Sequence, residues 1–211
     1  MAIDDTKRLQ WGPALRANLE PLTELHGIVQ ERIDRLTTTE EALRDALEKV
    51  EREKSEEGSA LGELSAAADD AVRRARLVGV KLEAAFLEGE VPEDEYRAAL
   101  AAAFPQGAQS IGATPAQRLE ALRRIGSAFD NHASADPGGK LAALATEGAD
   151  AIEAANVSAK REQEESRAAN DTLAEARGGF DTSYLATKEI VGGLLREAGR
   201  LDELRDVFPD L

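Results

Sequence analysis

The chain has 211 residues, no cysteine and a net charge of −15, which excludes a disulfide framework, cysteine-ligated zinc and a thiol nucleophile. So acidic a chain repels phosphate backbones and anionic membrane surfaces, so neither nucleic acid nor membrane is expected as a partner. Aromatics are only 4% of the chain, alanine is abundant, and no period-two run of β-branched residues appears, so the expected class is all-α.

Residues 1–12 read as a loose lead-in carrying Trp11. Pro13 and Pro21 both suit a first helical position, which predicts a short helix over 13–20 and a bend near Glu20. A long helix is expected from 21 to 57. Leu15, Leu22, Val29, Leu36, Leu43 and Val50 recur every seven residues, with Leu19, Ile33 and Leu47 between them, the seam of a helix lying along another helix. Thr37, Thr38 and Thr39 resemble a break, with capping-box spacing from Thr38 to Glu41, but the phase continues through them. His26, Glu40 and Lys54 occupy seam positions. A buried charge there must either be paired across helices or meet water.

Gly58 is read as the end of that helix, and a return helix over 59–88 follows with Leu61, Leu64, Ala68, Ala71, Ala75, Val78, Leu82 and Ala85 as its seam. Gly89 and Pro92 separate it from a short helix over 92–104, which leads into a polar loop over 105–114. Thr114, Pro115 and Gln117 form a strong start signal for a helix over 115–132. Asp136 to Gly139 marks a turn. The next long helix, 137–177, carries Leu141, Ala145, Gly148, Ile152, Ala155, Ala159, Glu162, Ser166, Ala169, Leu173 and Ala176 on its seam. Gly178-Gly179 is read as a break before a return helix, 180–198, and a short helix over 201–208 closes the chain at Phe208-Pro209.

The plan repeats. Pro13-Ala14-Leu15-Arg16 corresponds to Pro115-Ala116-Gln117-Arg118, and Phe104-Pro105 corresponds to Phe208-Pro209. The expected architecture is therefore two tandem related units, 1–107 and 108–211. Each is a long antiparallel helical hairpin with short accessory helices, and together they form a four-helix-bundle-like or elongated coiled-coil stack.

Chemistry is hard to find. Neither His26 nor His132 has a glutamate three residues before it, so the Glu-x-x-His pattern of a di-metal bundle is missing. The pairs Gly138-Gly139, Gly178-Gly179 and Gly192-Gly193 lack the Lys-Ser/Thr of a phosphate loop. Gly192-Gly193, inside a helical pattern, predicts a close helix contact. Asp69-Asp70 and Glu56-Glu57 have no supporting His or Tyr to shape a general acid or base. The basic clusters Arg73-Arg74-Arg76 and Arg123-Arg124 are expected to pair with nearby acids. No catalytic, cofactor-binding or metal residue is assigned, no cofactor is expected, and the chain does not read as an enzyme.

The leading expectation is a structural or self-assembling helical protein, a homo-oligomer working through helix–helix contacts. The alternative is a helical adaptor or chaperone-like module that binds another, possibly basic, protein, and a weaker one is a ligand-sensing bundle. The first residues lack the apolar core of a signal peptide, and the longest uncharged run, Ala98 to Gln117, is broken by prolines, so a cytoplasmic protein is expected.

Overall fold

A computed structural model describes residues 4–107 and 111–208, and every regular element found in them is helical. In chain order these are α1 (Asp5–Leu19), a 3-10 turn (Glu20–Glu24), α2 (Ile28–Leu87), α3 (Glu93–Ala103), α4 (Pro115–Asn131), a 3-10 turn (Ala133–Ala135), α5 (Lys140–Glu197), a 3-10 turn (Leu201–Glu203) and α6 (Leu204–Val207). The start of the expected lead-in, the middle of the expected 105–114 loop and Pro209 lie outside the described residues.

The two expected hairpin breaks are absent. Residues 28–87 form one 60-residue helix that runs through Gly58. Residues 140–197 form one 58-residue helix that runs through Gly178-Gly179. The positive φ that a terminating glycine adopts occurs at Gly89, Gly107, Gly112, Gly139 and Gly199, and not at these three. The reason is phase. Leu43, Ala46, Val50, Glu53, Glu57, Ala60 and Leu64 step by three and four across Gly58, each buried or half-buried. In α5, Leu173, Ala176, Phe180 and Tyr184 do the same across the glycine pair. A helix-interior glycine costs about 1 kcal/mol, less than burying one large apolar side chain on the seam it carries.

Two seam positions also move. Lys54 is exposed and Glu53 is buried in its place, and Leu61 is exposed beside a buried Ala60. Two consecutive steps of three at Glu40, Leu43 and Ala46, then two of four at Ala60, Leu64 and Ala68, displace the stripe by one residue between them.

The lead-in is more ordered than expected. α1 begins at Asp5, capped by the Asp4 side chain, which accepts from the Thr6 N–H at 3.3 Å. Pro13 therefore sits inside α1 instead of starting it, and Arg8, Gly12, Leu15 and Leu19 form the buried face. The long helix expected from 21 begins instead at Ile28, with His26 exposed ahead of it. His26 Nδ1 accepts from the Ile28 N–H at 3.1 Å, so this histidine caps the helix and leaves the seam. The α4 start has the expected capping box. Gln117 N–H donates to Thr114 Oγ1 at 3.3 Å, and Thr114 N–H to Gln117 Oε1 at 3.2 Å.

The chain forms two compact units, residues 1–54 with 165–211, and 55–164. They do not coincide with 1–107 and 108–211, because each long helix contributes one end to each unit. The first unit packs Leu15, Leu19, Leu36 and Leu43 against Phe180, Tyr184, Leu195 and Phe208. Tyr184 meets Trp11 at 6.1 Å between ring centroids and Phe208 edge-on at 5.8 Å. The second unit packs Ala71, Ala75, Val78 and Leu82 of α2 with Ala99 and Ala103 of α3, Leu122, Ile125 and Phe129 of α4, and Ala145 and Ile152 of α5. Small alanines let backbones approach. A Cβ on Gly148 would stand 2.8 Å from Arg74 Cδ and 2.9 Å from Leu122 Cδ1.

Candidate protein-contact face

In the second unit α2 carries two apolar stripes. Ala71, Ala75, Val78 and Leu82 are all fully buried in that unit's core. Leu77, Val80, Ala84 and Leu87 step by three, four and three along the opposite side of the helix. Nothing among the described residues covers this second stripe: Leu77 is 42% exposed, Val80 62% and Leu87 75%. Isolated exposed apolar residues are ordinary, but four in seam register on one helix form a surface a second helix can use.

Val80 also opens into a cleft of about 600 Å³ between α2 and α3. Val80, Leu100, Ala101 and Phe104 make its apolar lining, with the Tyr96 ring, stacked on Phe86 at 4.4 Å, on one side. Arg76, Glu83 and Arg97 add charge to it. The α2–α3 corner positions these groups: Gly89 takes φ 78°, Val91 is buried and α3 starts directly after Pro92.

The basic clusters behave in the expected way in part. Arg73 and Arg74 both hold Asp70, at 3.1 and 2.6 Å, and Arg74 reaches Glu147 of α5 at 3.0 Å. The Arg74 and Arg73 guanidiniums keep the Asp70 carboxyl below its usual range. Arg123 meets Glu153 at 2.6 Å, while Arg124 Nε donates to the Ala103 carbonyl at 3.5 Å. Arg76 makes no ion pair among the described residues and stays with the cleft. His132, at the end of α4, lies 3.5 Å from Glu95 through Nδ1 and closes the helix with its backbone N–H on the Ala128 carbonyl.

The seam charges divide. Glu40 is 2% exposed and lies between Arg16 Nη1 at 2.8 Å and Arg44 Nη2 at 2.9 Å, so it is paired across helices and not wet. Glu162 is buried at 7% and held by its neighbour Arg161, whereas Lys54 has left the seam. Gly192 is buried, but a Cβ there would sit 3.7 Å from Leu204 of α6, an ordinary van der Waals distance, and one on Gly193 would meet nothing within 4 Å, so the close helix contact expected at this pair is not seen among the described residues.

Sequence reasoning missed the outer α2 stripe, although its signal was present: Leu77, Val80 and Leu87 have seam spacing of their own. The stronger inner stripe masked it. Among the described residues, no helix is long and apolar enough to cross a membrane. Comparison with protein families, with curated proteins and with solved structures finds no match for this chain.

Proposed function

We propose that this is a non-enzymatic helical protein that acts by helix–helix contact with protein, with association between copies of itself as the leading form. The observation that carries the reading is the uncovered Leu77–Val80–Ala84–Leu87 stripe, whose spacing fits a facing helix. A stripe presented once per chain closes naturally into a two-fold pair, in which each copy offers the same patch. Light scattering over a concentration series tests this. The wild-type chain is expected as a dimer or larger with a melting temperature that rises with concentration, and Leu77→Glu with Val80→Glu as a monomer of unchanged helicity whose melting temperature does not depend on concentration. A wild-type chain that stays monomeric throughout sinks the self-association form.

The cleft beside α3 favours a second reading, an adaptor that takes a helix from another protein. Its apolar lining suits one or two partner side chains, and a net charge of −15 suits a basic partner. Here the chain is monomeric, and a lysine-rich amphipathic peptide binds saturably and loses binding with Val80→Glu.

We also propose that 1–107 and 108–211 are tandem repeats. Element order supports it, since each half runs short helix, 3-10 turn, long helix and short closing helix. The two compact units have matching make-up as well. Each joins the start of one long helix to the end of the other and contains one of the two buried phenylalanines that follow a short helix, Phe104 or Phe208.

A further inference from the structure

In the first unit α2 and α5 line a cleft of about 510 Å³ whose chemistry is unlike the rest of this acidic chain. From α2 it receives Arg32, Arg35, Thr38 and Thr39, one face at helical spacing. From α5 it receives Gly178, Gly179, Thr182, Ser183 and Ala186.

The two arginines have no ion pair among the described residues, although acids outnumber bases 41 to 26 in the chain. The nearby carboxylate of Asp34 is engaged by Gln30 at 2.9 Å. Arg32 Nε and Ser183 Oγ are both sealed from solvent, and neither has a hydrogen-bond partner. A buried donor left unmade is costly, and turning the Ser183 hydroxyl or the Arg32 guanidinium into the cleft, where a ligand oxygen can meet it, removes that cost. The Thr38 and Thr39 hydroxyls already donate to backbone carbonyls, at 3.0 Å to Asp34 and to Arg35, so they add acceptor oxygens and methyl surface. The donors left for a ligand are Arg32, Arg35, Ser183 and the exposed Thr182.

Space for the ligand comes from the glycines. A Cβ on Gly178 or Gly179 would meet nothing within 4 Å, so the α5 wall recedes opposite the arginines. The volume falls in the range of small-molecule sites, roughly 300–1,000 Å³. Planar guanidinium forks match tetrahedral oxyanions in two-point contact, which an ammonium cannot reproduce.

We propose that this cleft binds a small doubly charged oxyanion, phosphate or a phosphate monoester, held by Arg32 and Arg35 with Ser183 donating to it. The site lies wholly in the first unit and is independent of the contact face on the second.

Titration calorimetry of the full chain with inorganic phosphate and with phenyl phosphate tests the assignment. Saturable binding is expected, together with a thermal shift that grows with ligand concentration. Tighter phenyl phosphate identifies an ester, and equal affinity identifies the free ion. Arg32→Gln with Arg35→Gln is expected to weaken binding at least tenfold, and Ser183→Ala to weaken it by less. Arg196→Gln, an exposed arginine elsewhere in the same unit, is the charge-matched control and leaves binding unchanged. Gly179→Leu keeps both arginines, fills the open wall and should abolish binding if the double variant fails to fold. Absence of saturable binding, binding that survives both the double variant and Gly179→Leu, or an equal loss in Arg196→Gln overturns the proposal.

Discussion

Glu40 shows how one charge is kept on a buried helix seam. It sits on the α2 seam, 2% exposed, and is tolerable there because Arg16 and Arg44 reach it and because α1 offers Gly12 at the point of approach. A Cβ on Gly12 would stand 2.2 Å from Glu40 Oε2 and 2.7 Å from its Cδ. Gly12→Ala gains about 1 kcal/mol of helix propensity. Against that, a carboxylate pinned by two arginines must move, and overpacking of this kind costs about 1–3 kcal/mol. The net expectation is destabilisation, read as a lower melting temperature, and its disappearance in a Glu40→Ala background. A second charge contact acts through pH. Arg177 Nε donates to Asp5 Oδ1 at 2.8 Å, and that hydrogen bond holds the Asp5 carboxyl below its ordinary 3.8. Because the folded value is depressed, the stabilisation is complete above the unfolded value and is lost as pH falls through the folded one. Asp5→Asn is therefore expected to be less stable than wild type at neutral pH by about 0.5–1.5 kcal/mol. Acid titrations followed by circular dichroism should show the two curves converging as pH drops below 3.8, and a gap that stays constant would assign the loss to packing.

At the scale of the helix, glycine alone does not decide where a helix stops. Gly58 and Gly89 both follow long apolar-periodic stretches, yet α2 passes the first and ends just before the second. Past Gly58 the seam resumes in phase, so continuing the helix buries Ala60 and Ala68. Past Gly89 comes Pro92, which cannot donate to the helix, and Gly89 takes φ 78°. Gly58 is exposed, and a Cβ there meets nothing within 4 Å. Gly58→Ala is expected to raise stability by up to about 1 kcal/mol in denaturant melts. A left-handed terminating glycine would give the opposite sign, so the measurement separates a continuous helix from a hairpin. The start of α5 is fixed locally instead. The buried Asp136 carboxylate accepts from the N–H groups of Lys140, Leu141 and Ala142 at 3.0, 2.8 and 2.9 Å, which places the helix beginning beyond the Asp136–Gly139 turn.

At the scale of the molecule, the two cores cut across the division into 1–107 and 108–211. Residues 55–164 are contiguous and contain one whole core, whereas 1–107 holds part of each. The fragment 55–164 is expected to be helical and to melt cooperatively. The fragment 1–107 should melt cooperatively only at concentrations where two copies supply each other's missing long helix, which would also support the repeat. If 1–107 melts cooperatively as a monomer, the proposed division of cores fails. The all-α class, the α4 capping box and nearly every buried position of α5, from Leu141 through Ser166 to Leu173, were legible from residues alone, since helical spacing and caps are local properties. Local rules could not say whether Gly58 and Gly178-Gly179 end a helix, because that choice depends on whether the next stretch finds a partner to bury its stripe against. Nor could they bring Gly12 to Glu40, Arg8 to Asp181 at 2.7 Å, or Arg32 to a cleft shared with Ser183. Those residues are far apart in sequence, and only the packing of α1, α2 and α5 makes them neighbours. The periodic pattern thus determined most of the buried positions of α2, α4 and α5, and the tertiary structure decided where the helices end and which polar groups meet, because both depend on contacts that no local stretch contains.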